Sequence, residues 1–338
     1  MRILIVGGGI GGVTAALCLA KEGHDVEVFE QGDLYTETGA GIQLSPNCTR
    51  VLHYLGLENA LRTSGFRPDG LEFRDWNSGK TIATSALGEA VVAKFGFPYY
   101  HIQRDDLIHL LVSAAKKQFN IRLHTESKVD GFSETFSSIQ ISVNNLKHEG
   151  DILIGADGIH SVIRSNLWGN ETPSFTGNVA WRALVPASEL PQGMVRPMAT
   201  VWWGPGRHFV HYYIKGGELV NCVCVVEKEG WEVESWTELG DYDEFKADFA
   251  GWNEDGQMLI DFADRNSLYK WALHDRTPMR KWGSGRTTLL GDACHPTLPF
   301  MAQGAAMSIE DGAVLAACLR QTQDVSIALK NYEDLRRD

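Results

Sequence analysis

The sequence has 338 residues, of which 43% are hydrophobic and 22% charged, the composition of an ordinary globular protein with about two domains. Its 31 basic and 43 acidic side chains give a net charge of −12, which disfavours nucleic acids and anionic membranes as partners because both would be repelled. No apolar run reaches the roughly 20 residues that span a membrane, and six scattered cysteines without metal-ligand spacing favour a reducing cytoplasm.

The first predicted elements are a strand, a turn, a helix and a second strand. Residues 3–6 are a continuous apolar run, which is typical of a strand buried on both faces. Residues 13–22 carry apolar side chains at helical spacing and stop before Gly23, a common residue at helix ends. The second strand covers residues 26–29 and ends at Glu30.

The turn between the first strand and the helix contains the pattern Gly7-x-Gly9-x-x-Gly12. In a dinucleotide site the first glycine permits the tight turn, the second lets a pyrophosphate approach the backbone, and the third lets the helix pack closely on the strand. Free amides at the helix N-terminus favour the phosphates, and Glu30 would accept hydrogen bonds from the adenosine ribose. The pattern predicts a dinucleotide but does not distinguish FAD from NAD.

The following elements continue the alternation of strands and helices. Residues 104–119 predict an amphipathic helix opened by acidic residues, residues 121–123 a short strand, and residues 129–143 a hairpin with alternating apolar positions. Residues 151–154 predict another buried strand, which leads into the sequence GADG.

The pattern changes between residues 171 and 275, where strand-like runs dominate and predict a separate, largely antiparallel sheet with a few helices. These runs cover residues 179–186, 200–203, 208–214 and 219–226. From residue 287 the first pattern returns, with TTLLGDA as a buried strand followed by a helix over residues 304–320. One domain is therefore predicted to be interrupted by another.

Two further motifs accompany the glycine turn. Residues 155–158 read GADG, and residues 291–299 read GDACHPTLP, with six residues between Asp292 and Pro299. In this order the three motifs resemble those of the single-component aromatic flavoprotein monooxygenases, the family of para-hydroxybenzoate hydroxylase and salicylate hydroxylase. The resemblance covers essentially the whole chain. It implies an α/β fold in which a Rossmann-like FAD-binding domain is interrupted by a mostly antiparallel substrate domain.

The boundaries expected from this resemblance assign residues 1–75, 99–170 and 276–338 to the FAD-binding domain, and residues 76–98 and 171–275 to the substrate domain. The family pattern continues with a further helical segment beyond YEDLRRD, where this sequence ends, and the expected state is a monomer or a homodimer.

The resemblance also implies which residues bind FAD. Asp292 would contact the ribityl-pyrophosphate part, Pro299 would lie near the isoalloxazine, and the helix that begins near Gly304 and Ala305 would direct its N-terminal dipole at the flavin. The remaining implied FAD contacts, besides the glycine turn and Glu30, are Gln43 in GAGIQLSPN, Arg104 in HIQRDDL, and Asp157 with Gly158 in the DG motif.

The implied reaction is aromatic hydroxylation. NAD(P)H, with NADH favoured, would reduce FAD, and molecular oxygen would form a flavin C(4a)-hydroperoxide that hydroxylates a small aromatic substrate. Because no second GxGxxG occurs, NAD(P)H would dock transiently. GAGIQLSPN, WRALVP and HPTLPFMAQGAAM are most similar to the salicylate hydroxylase and hydroxynicotinate monooxygenase branch, so the substrate could be salicylate-like, with decarboxylation, or an N-heterocycle such as hydroxynicotinate or urate.

A phenolic substrate needs a base or hydrogen-bond acceptor near its hydroxyl group. The candidates in GRHFVHYYI are His208, His211 and Tyr213, and His295 and Pro299 are candidates in the GDACHPTLP motif. Side chains alternate along a strand, so His211 and Tyr213 share one face while His208 and Tyr212 share the other, and only one pair can line the pocket. Each of these residues could equally be an ordinary part of the sheet or of the loop.

Two other classes of protein remain as alternatives. A flavin halogenase would carry a WxWxIP motif, which this sequence lacks. A non-catalytic FAD-binding protein would keep the glycine turn but could lose the other two motifs, and both are intact. A metal site is not predicted.

Overall fold

The computed structural model describes residues 1–34, 40–228, 230–231 and 238–337. Gly39, the start of the GAGIQLSPN block, and Asp338 lie outside these ranges. The strands in chain order are β1 (Arg2–Val6), β2 (Asp25–Phe29), β3 (Gly41–Leu44), β4 (Gly70–Asp75), β5 (Thr81–Ala86), β6 (Tyr100–Gln103), β7 (Ile121–His124), β8 (Val129–Glu134), β9 (Ile139–Val143), β10 (Leu146–Gly150), β11 (Ile152–Gly155), β12 (Ser174–Pro186), β13 (Met198–Gly204), β14 (Arg207–Ile214), β15 (Leu219–Glu227), β16 (Tyr269–Asp275), β17 (Gly283–Ser284) and β18 (Thr287–Leu289).

The helices in chain order are α1 (Ile10–Lys21), α2 (Pro46–Tyr54), α3 (Glu58–Ser64), α4 (Gly88–Phe95), α5 (Arg104–Ala115), α6 (Val162–Trp168), α7 (Tyr242–Asp248), α8 (Glu254–Asp261), α9 (Gly304–Gln321) and α10 (Val325–Arg337). Helix α5 ends four residues before the predicted end, because the chain turns after Ala115 and leaves Phe119 almost fully exposed. None of the helices in the described ranges has both the length and the apolar character needed to cross a membrane.

The first sheet has the order β17-β18-β11-β1-β2-β7, and all its pairs except β17 with β18 are parallel. Its inner strands are apolar along their length because both faces of the sheet are covered by other elements. Helix α1 packs against α5 and α9, while the small antiparallel sheet β10-β9-β8 contacts β1 through β10. In a parallel sheet of this kind, ligands bind beyond the carboxyl ends of the strands.

The second large sheet has seven strands in the order β16-β12-β15-β14-β13-β4-β5, and only β13 with β4 is a parallel pair. One face packs on the aromatic core beneath α7 and α8, which includes Trp181, Phe209 and Phe249. The predicted α/β fold with an inserted, mostly antiparallel sheet is confirmed. The expected boundary assigned residues up to 75 to the FAD-binding domain, but strand β4 belongs to the second sheet. Strand β4 pairs there with β13, which lies about 130 residues later in the chain, and local sequence does not indicate so distant a partner.

Candidate active site

The glycine turn joins β1 to α1 in a very compact crossing. Gly7 has a φ of +108°, and a Cβ there would lie 2.2 Å from the Ala156 carbonyl oxygen. A Cβ on Gly12 would lie 2.0 Å from the Gly7 carbonyl oxygen, so α1 can approach the strand this closely only without a side chain. At Gly9, by contrast, no heavy atom lies within 4 Å of such a Cβ. The turn is thus closed behind and open in front, where a pyrophosphate would approach.

Glu30 closes the same turn from the end of β2. Its carboxylate accepts hydrogen bonds from the backbone amides of Gly8, at 2.7 Å, and Gly32, at 2.9 Å. Each carboxylate oxygen retains a further lone pair for a hydroxyl group of a ligand. The position agrees with the ribose-binding role expected for this acid.

The DG motif is tied to the loop of residues 291–299, which we call the GD loop. The Asp157 carboxylate accepts hydrogen bonds from the Ser161 hydroxyl, at 2.5 Å, and from the Ile163 amide, at 3.1 Å, and its burial raises its pKa. Arg164, which is buried, donates from its guanidinium to the Ala293 carbonyl oxygen at 2.9 Å. The two motifs therefore form one unit at the carboxyl end of the first sheet.

The N-terminus of α9 is fixed where the GD loop ends. A 3₁₀ turn begins at Pro299, and Gln303 precedes the first helical residue. The Gln303 side-chain amide donates from Nε2 to the Ser45 hydroxyl at 3.0 Å, and its Oε1 accepts a hydrogen bond from Nδ2 of Asn47 at 3.3 Å. These bonds hold the helix end against α2, so that its unpaired amides and positive dipole end face the cavity.

All these features surround one cavity of about 1540 Å³. It exceeds the usual 300–1,000 Å³ of ligand pockets, as expected for a site that holds a dinucleotide and a substrate together. The residues predicted from the sequence that line it are Gly7, Gly9, Glu30, Gln43, Arg104, Asp157, Gly158, His208, Asp292, Pro299, Gly304 and Ala305. Gly12 does not line it and instead lies behind the turn.

Strand β14 presents His208, Val210 and Tyr212 to the cavity, so His211 and Tyr213 face the other side of the sheet. The Trp202 indole donates to Nδ1 of His211 at 3.2 Å, and burial lowers the pKa of His211 to about 3. The Tyr213 hydroxyl donates to the Val195 carbonyl oxygen at 3.0 Å. The expectation of a catalytic His211 or Tyr213 is therefore corrected: the strand alternation directs both side chains into the sheet's aromatic core.

His295 is also absent from the cavity wall. Its Nε2 lies 2.6 Å from Oδ2 of Asp311, and although burial alone would lower its pKa, this hydrogen bond and charge raise it overall. The motif brought His295 near the cavity, but the side chain turns back towards α9. Cys294, His295 and Asp311 bring three ligand-type atoms within 4.8 Å, yet Asp311 is already engaged by Arg336 and the Gly291 amide. The cluster is an internal hydrogen-bond network.

Two cavity residues, Tyr99 and Arg182, were not singled out from the sequence. The strand alternation placed Tyr212 on the same face as His208, and both side chains line the cavity, although Tyr212 was not named as a site residue. The Tyr99 hydroxyl donates to the Gln43 side chain at 2.7 Å, but it precedes a short strand in a segment without periodicity. Arg182 could have been noticed as a charged residue within an apolar strand. The guanidinium carbon of Arg182 lies 5.2 Å from the ring centres of both Tyr269 and Trp271.

The cavity is lined by charged side chains of both signs: the basic ones are Arg104, Lys128, Arg182 and Arg207, and the acidic ones are Glu30, Asp33, Asp157, Glu227 and Asp292. Burial lowers the pKa of Arg182 to about 10, and the nearby charge of Arg104 contributes in the same direction. At neutral pH the Arg182 guanidinium therefore remains charged. Burial raises the pKa of Asp292, and the charge of Arg104 opposes this shift. Arg104, Arg182 and the N-terminus of α9 are thus available to anionic groups in a cavity that also carries acidic side chains.

Comparison with known proteins decides what this arrangement is. The family model described as "FAD binding domain" matches residues 1–338. The chain belongs to this family. It is 38% identical over 340 residues to a 3-amino-4-hydroxybenzoate 2-monooxygenase from Streptomyces platensis, which covers 99% of the chain and 84% of that protein. It is 38% identical over 342 residues to a 6-hydroxynicotinate 3-monooxygenase from Pseudomonas fluorescens, covering 100% and 88%.

The fold is also similar to that of Klebsiella pneumoniae HpxO, solved with FAD and uric acid. The TM-score is 0.86 with 27% identity, and the match covers 100% of this chain and 84% of the other. The chain is therefore an FAD-dependent aromatic monooxygenase of the single-component type, as its three motifs predicted.

The described residues fit FAD. The open face at Gly9 leaves room for a pyrophosphate, Glu30 has free lone pairs at the ribose position, and the cavity continues from there to the N-terminus of α9. The substrate sheet lines the same cavity through His208 and Tyr212, which leaves room for a substrate beside the cofactor.

Proposed function

We propose that this flavoprotein uses NAD(P)H, with NADH favoured, and oxygen to hydroxylate a small phenolic ring that carries an anionic group such as a carboxylate. The observation that carries the proposal is the pair His208 and Tyr212, which face the same cavity as the GD loop. Arg104 and Arg182 would supply the positive charge that pairs with an anionic substrate and with the cofactor phosphates.

His208 is suited to accept the phenolic proton. Burial lowers its pKa, so its imidazole is neutral at pH 7 and one ring nitrogen can accept a proton. Its ring packs edge-on against Phe300, which directly follows the GD loop, with the ring centres 5.4 Å apart, and this contact restrains its orientation. A phenol held at His208 would gain phenolate character, and an electron-rich ring is what an electrophilic hydroxylation requires.

Tyr212 and Tyr99 are suited to orient the substrate. Burial raises the pKa of both phenols, so each keeps its proton and can donate a hydrogen bond. Tyr99 donates to Gln43 and thereby orders the amide group beside the cavity. The Tyr99 proton is engaged by Gln43, so Tyr212 is the donor that, with His208 as acceptor, would select a ring with both a hydroxyl and a second polar substituent.

FAD, when bound, supplies the activation of oxygen that no amino-acid side chain provides. The glycine turn and Glu30 would hold its adenosine half, and Arg104, Asp157 and Asp292 its central part. The N-terminus of α9, at Gly304 and Ala305, would stabilise negative charge on the reduced ring. Trp203, Phe300 and Met301, which are apolar side chains exposed at the cavity, would exclude water from the reacting ring.

The test compares His208→Gln and Tyr212→Phe with His109→Gln, a surface histidine on α5. Loss of the base should lower kcat for a phenolic substrate about a hundredfold, with partial recovery at high pH, where the phenol ionises unaided. Tyr212→Phe should raise KM more than it lowers kcat, and His109→Gln should change neither. A His208→Gln enzyme with wild-type kcat would refute the assigned base.

A second candidate is an N-heterocyclic substrate such as hydroxynicotinate or urate. The relative that acts on 6-hydroxynicotinate and the structural neighbour with bound uric acid favour it. Salicylate with decarboxylation remains within the same proposal, and product identity distinguishes them. We also propose a cytoplasmic location, in keeping with the six cysteines, which are all free thiols.

A further inference from the structure

A buried carboxylate lies directly behind the GD loop. Asp311, the eighth residue of α9, is fully buried and does not line the cavity. Its Oδ2 accepts a hydrogen bond from the Gly291 amide at 2.9 Å and lies 2.6 Å from Nε2 of His295. One carboxylate oxygen thus contacts both Gly291, the first residue of the GD loop, and His295, the fifth.

The charge that balances this carboxylate comes from the last helix. Arg336 of α10 donates from Nε to Oδ1 of Asp311 at 2.7 Å and from Nη2 to the Met307 carbonyl oxygen at 3.2 Å. Its side chain is 16% exposed, so solvent screens the pair only partly. Tyr332 of the same helix donates to the carbonyl oxygen of Leu289, two residues before the loop, at 3.1 Å. Helix α10 is therefore fastened to the base of the loop.

The front of the loop faces the cavity. Asp292 follows Gly291 directly and lines the cavity. Gly291 has a φ of +64°, and a Cβ there would lie 2.7 Å from the Ser308 hydroxyl oxygen. A displacement of the Gly291 amide would move the Gly291 backbone and with it Asp292, the next residue. Arg164 holds the Ala293 carbonyl oxygen on the other side of Asp292.

We propose that Asp311 and Arg336 are positioning residues for FAD: they fix Gly291 and His295 from behind and so hold Asp292 in the direction that binds the cofactor. Neither residue touches the cavity, and their effect passes through the loop. The proposal requires FAD binding but not the proposed substrate, so it can fail or succeed independently of the role of His208. In this account His295 is a member of the same network.

The test measures FAD affinity and the visible circular dichroism of bound FAD, together with the unfolding temperature of the apoprotein. Arg336→Met leaves Asp311 buried without its cation, and it should weaken FAD binding about tenfold and alter the dichroism. Arg336→Lys keeps a cation but loses the fork of donors, and should restore part of the affinity. The matched control is Arg320→Met on α9, whose guanidinium pairs with Glu22 from a side chain that is 61% exposed, and the FAD affinity of this variant should stay within about twofold of the wild type.

A double variant separates positioning from general stability. In an Asp311→Asn background no buried charge remains to be compensated, so adding Arg336→Met should weaken FAD binding much less than it does alone. The proposal is overturned if Arg336→Met lowers only the unfolding temperature and leaves FAD affinity and dichroism unchanged. If Arg336→Met does not fold, Arg336→Lys decides: wild-type affinity and dichroism would overturn the proposal, and weakened affinity at retained fold supports it.

Discussion

The glycine turn offers a pair of substitutions that separate folding from cofactor binding. At Gly12 a Cβ would lie 2.0 Å from the Gly7 carbonyl oxygen, whereas ordinary contacts of this kind are 3.4–4 Å. Gly12→Ala must therefore move α1 away from β1 by more than 1 Å, and the helix is apolar and buried along most of its length. Overpacking of this kind costs about 1–3 kcal/mol, which we expect as the loss of unfolding free energy of the apoprotein.

Gly9→Ala should behave differently. The residue has an extended backbone with a φ of −70°, and its Cβ would meet no heavy atom within 4 Å. The unfolding free energy of the apoprotein should thus change by less than about 0.5 kcal/mol. The added methyl group occupies the space through which the pyrophosphate approaches, and FAD affinity should fall about tenfold or more.

The assay is urea unfolding of the apoproteins followed by circular dichroism, together with FAD titration followed by fluorescence. Gly256→Ala in α8 is the control, because it adds the same methyl group in open space far from the turn and should leave FAD affinity unchanged. A Gly12→Ala apoprotein as stable as the wild type, or a Gly9→Ala protein with wild-type FAD affinity, would refute the assigned geometry.

Two further predictions concern buried charge. Burial lowers the pKa of His101 and His211 to about 3. Below pH 6.5 the unfolded chain therefore binds protons at these two residues while the folded protein keeps them neutral. The free energy of unfolding is lost as the pH falls from 6.5 towards 3, by about 1.4 kcal/mol per pH unit for each residue. Urea unfolding from pH 7.5 to 5.5 should show a shallower decline for His211→Asn than for the wild type, and equal slopes would contradict the prediction. Arg182→Met removes a buried cation from the cavity and should lower the midpoint potential of bound FAD by on the order of 30 mV, because the reduced flavin loses stabilisation. A potentiometric titration with reference dyes measures this, and an unchanged potential would remove Arg182 from the account.

The elements that the sequence predicted well are those with local signals. The strand over residues 3–6, the glycine turn and the start of the helix follow from an apolar run, a spacing of glycines and helical periodicity. The GD loop and α9 were likewise placed by a short motif. Because these segments meet at the carboxyl edge of one parallel sheet, most of the predicted FAD residues line one cavity.

The features that the sequence did not predict depend on distant pairing. Strand β4 joins the second sheet through β13, and nothing in residues 70–75 indicates that partner. His211 and His208 look alike in sequence, and only the packing of Trp202 shows which of them is buried in the aromatic core. The direction of His295 depends on Asp311, sixteen residues later, and on Arg336 in another helix.

The central claim is that this enzyme inserts one oxygen atom into a small phenolic substrate. The most direct test is mass spectrometry of products after incubating the FAD-loaded protein with NADH, ¹⁸O₂ and a panel of hydroxybenzoates, hydroxynicotinates and urate. The account predicts a product that contains one ¹⁸O atom for at least one ring with both a hydroxyl and an anionic group, and NADH consumption that rises with that compound. No labelled product from any compound in the panel, with NADH consumed only to make hydrogen peroxide or not consumed at all, would contradict it.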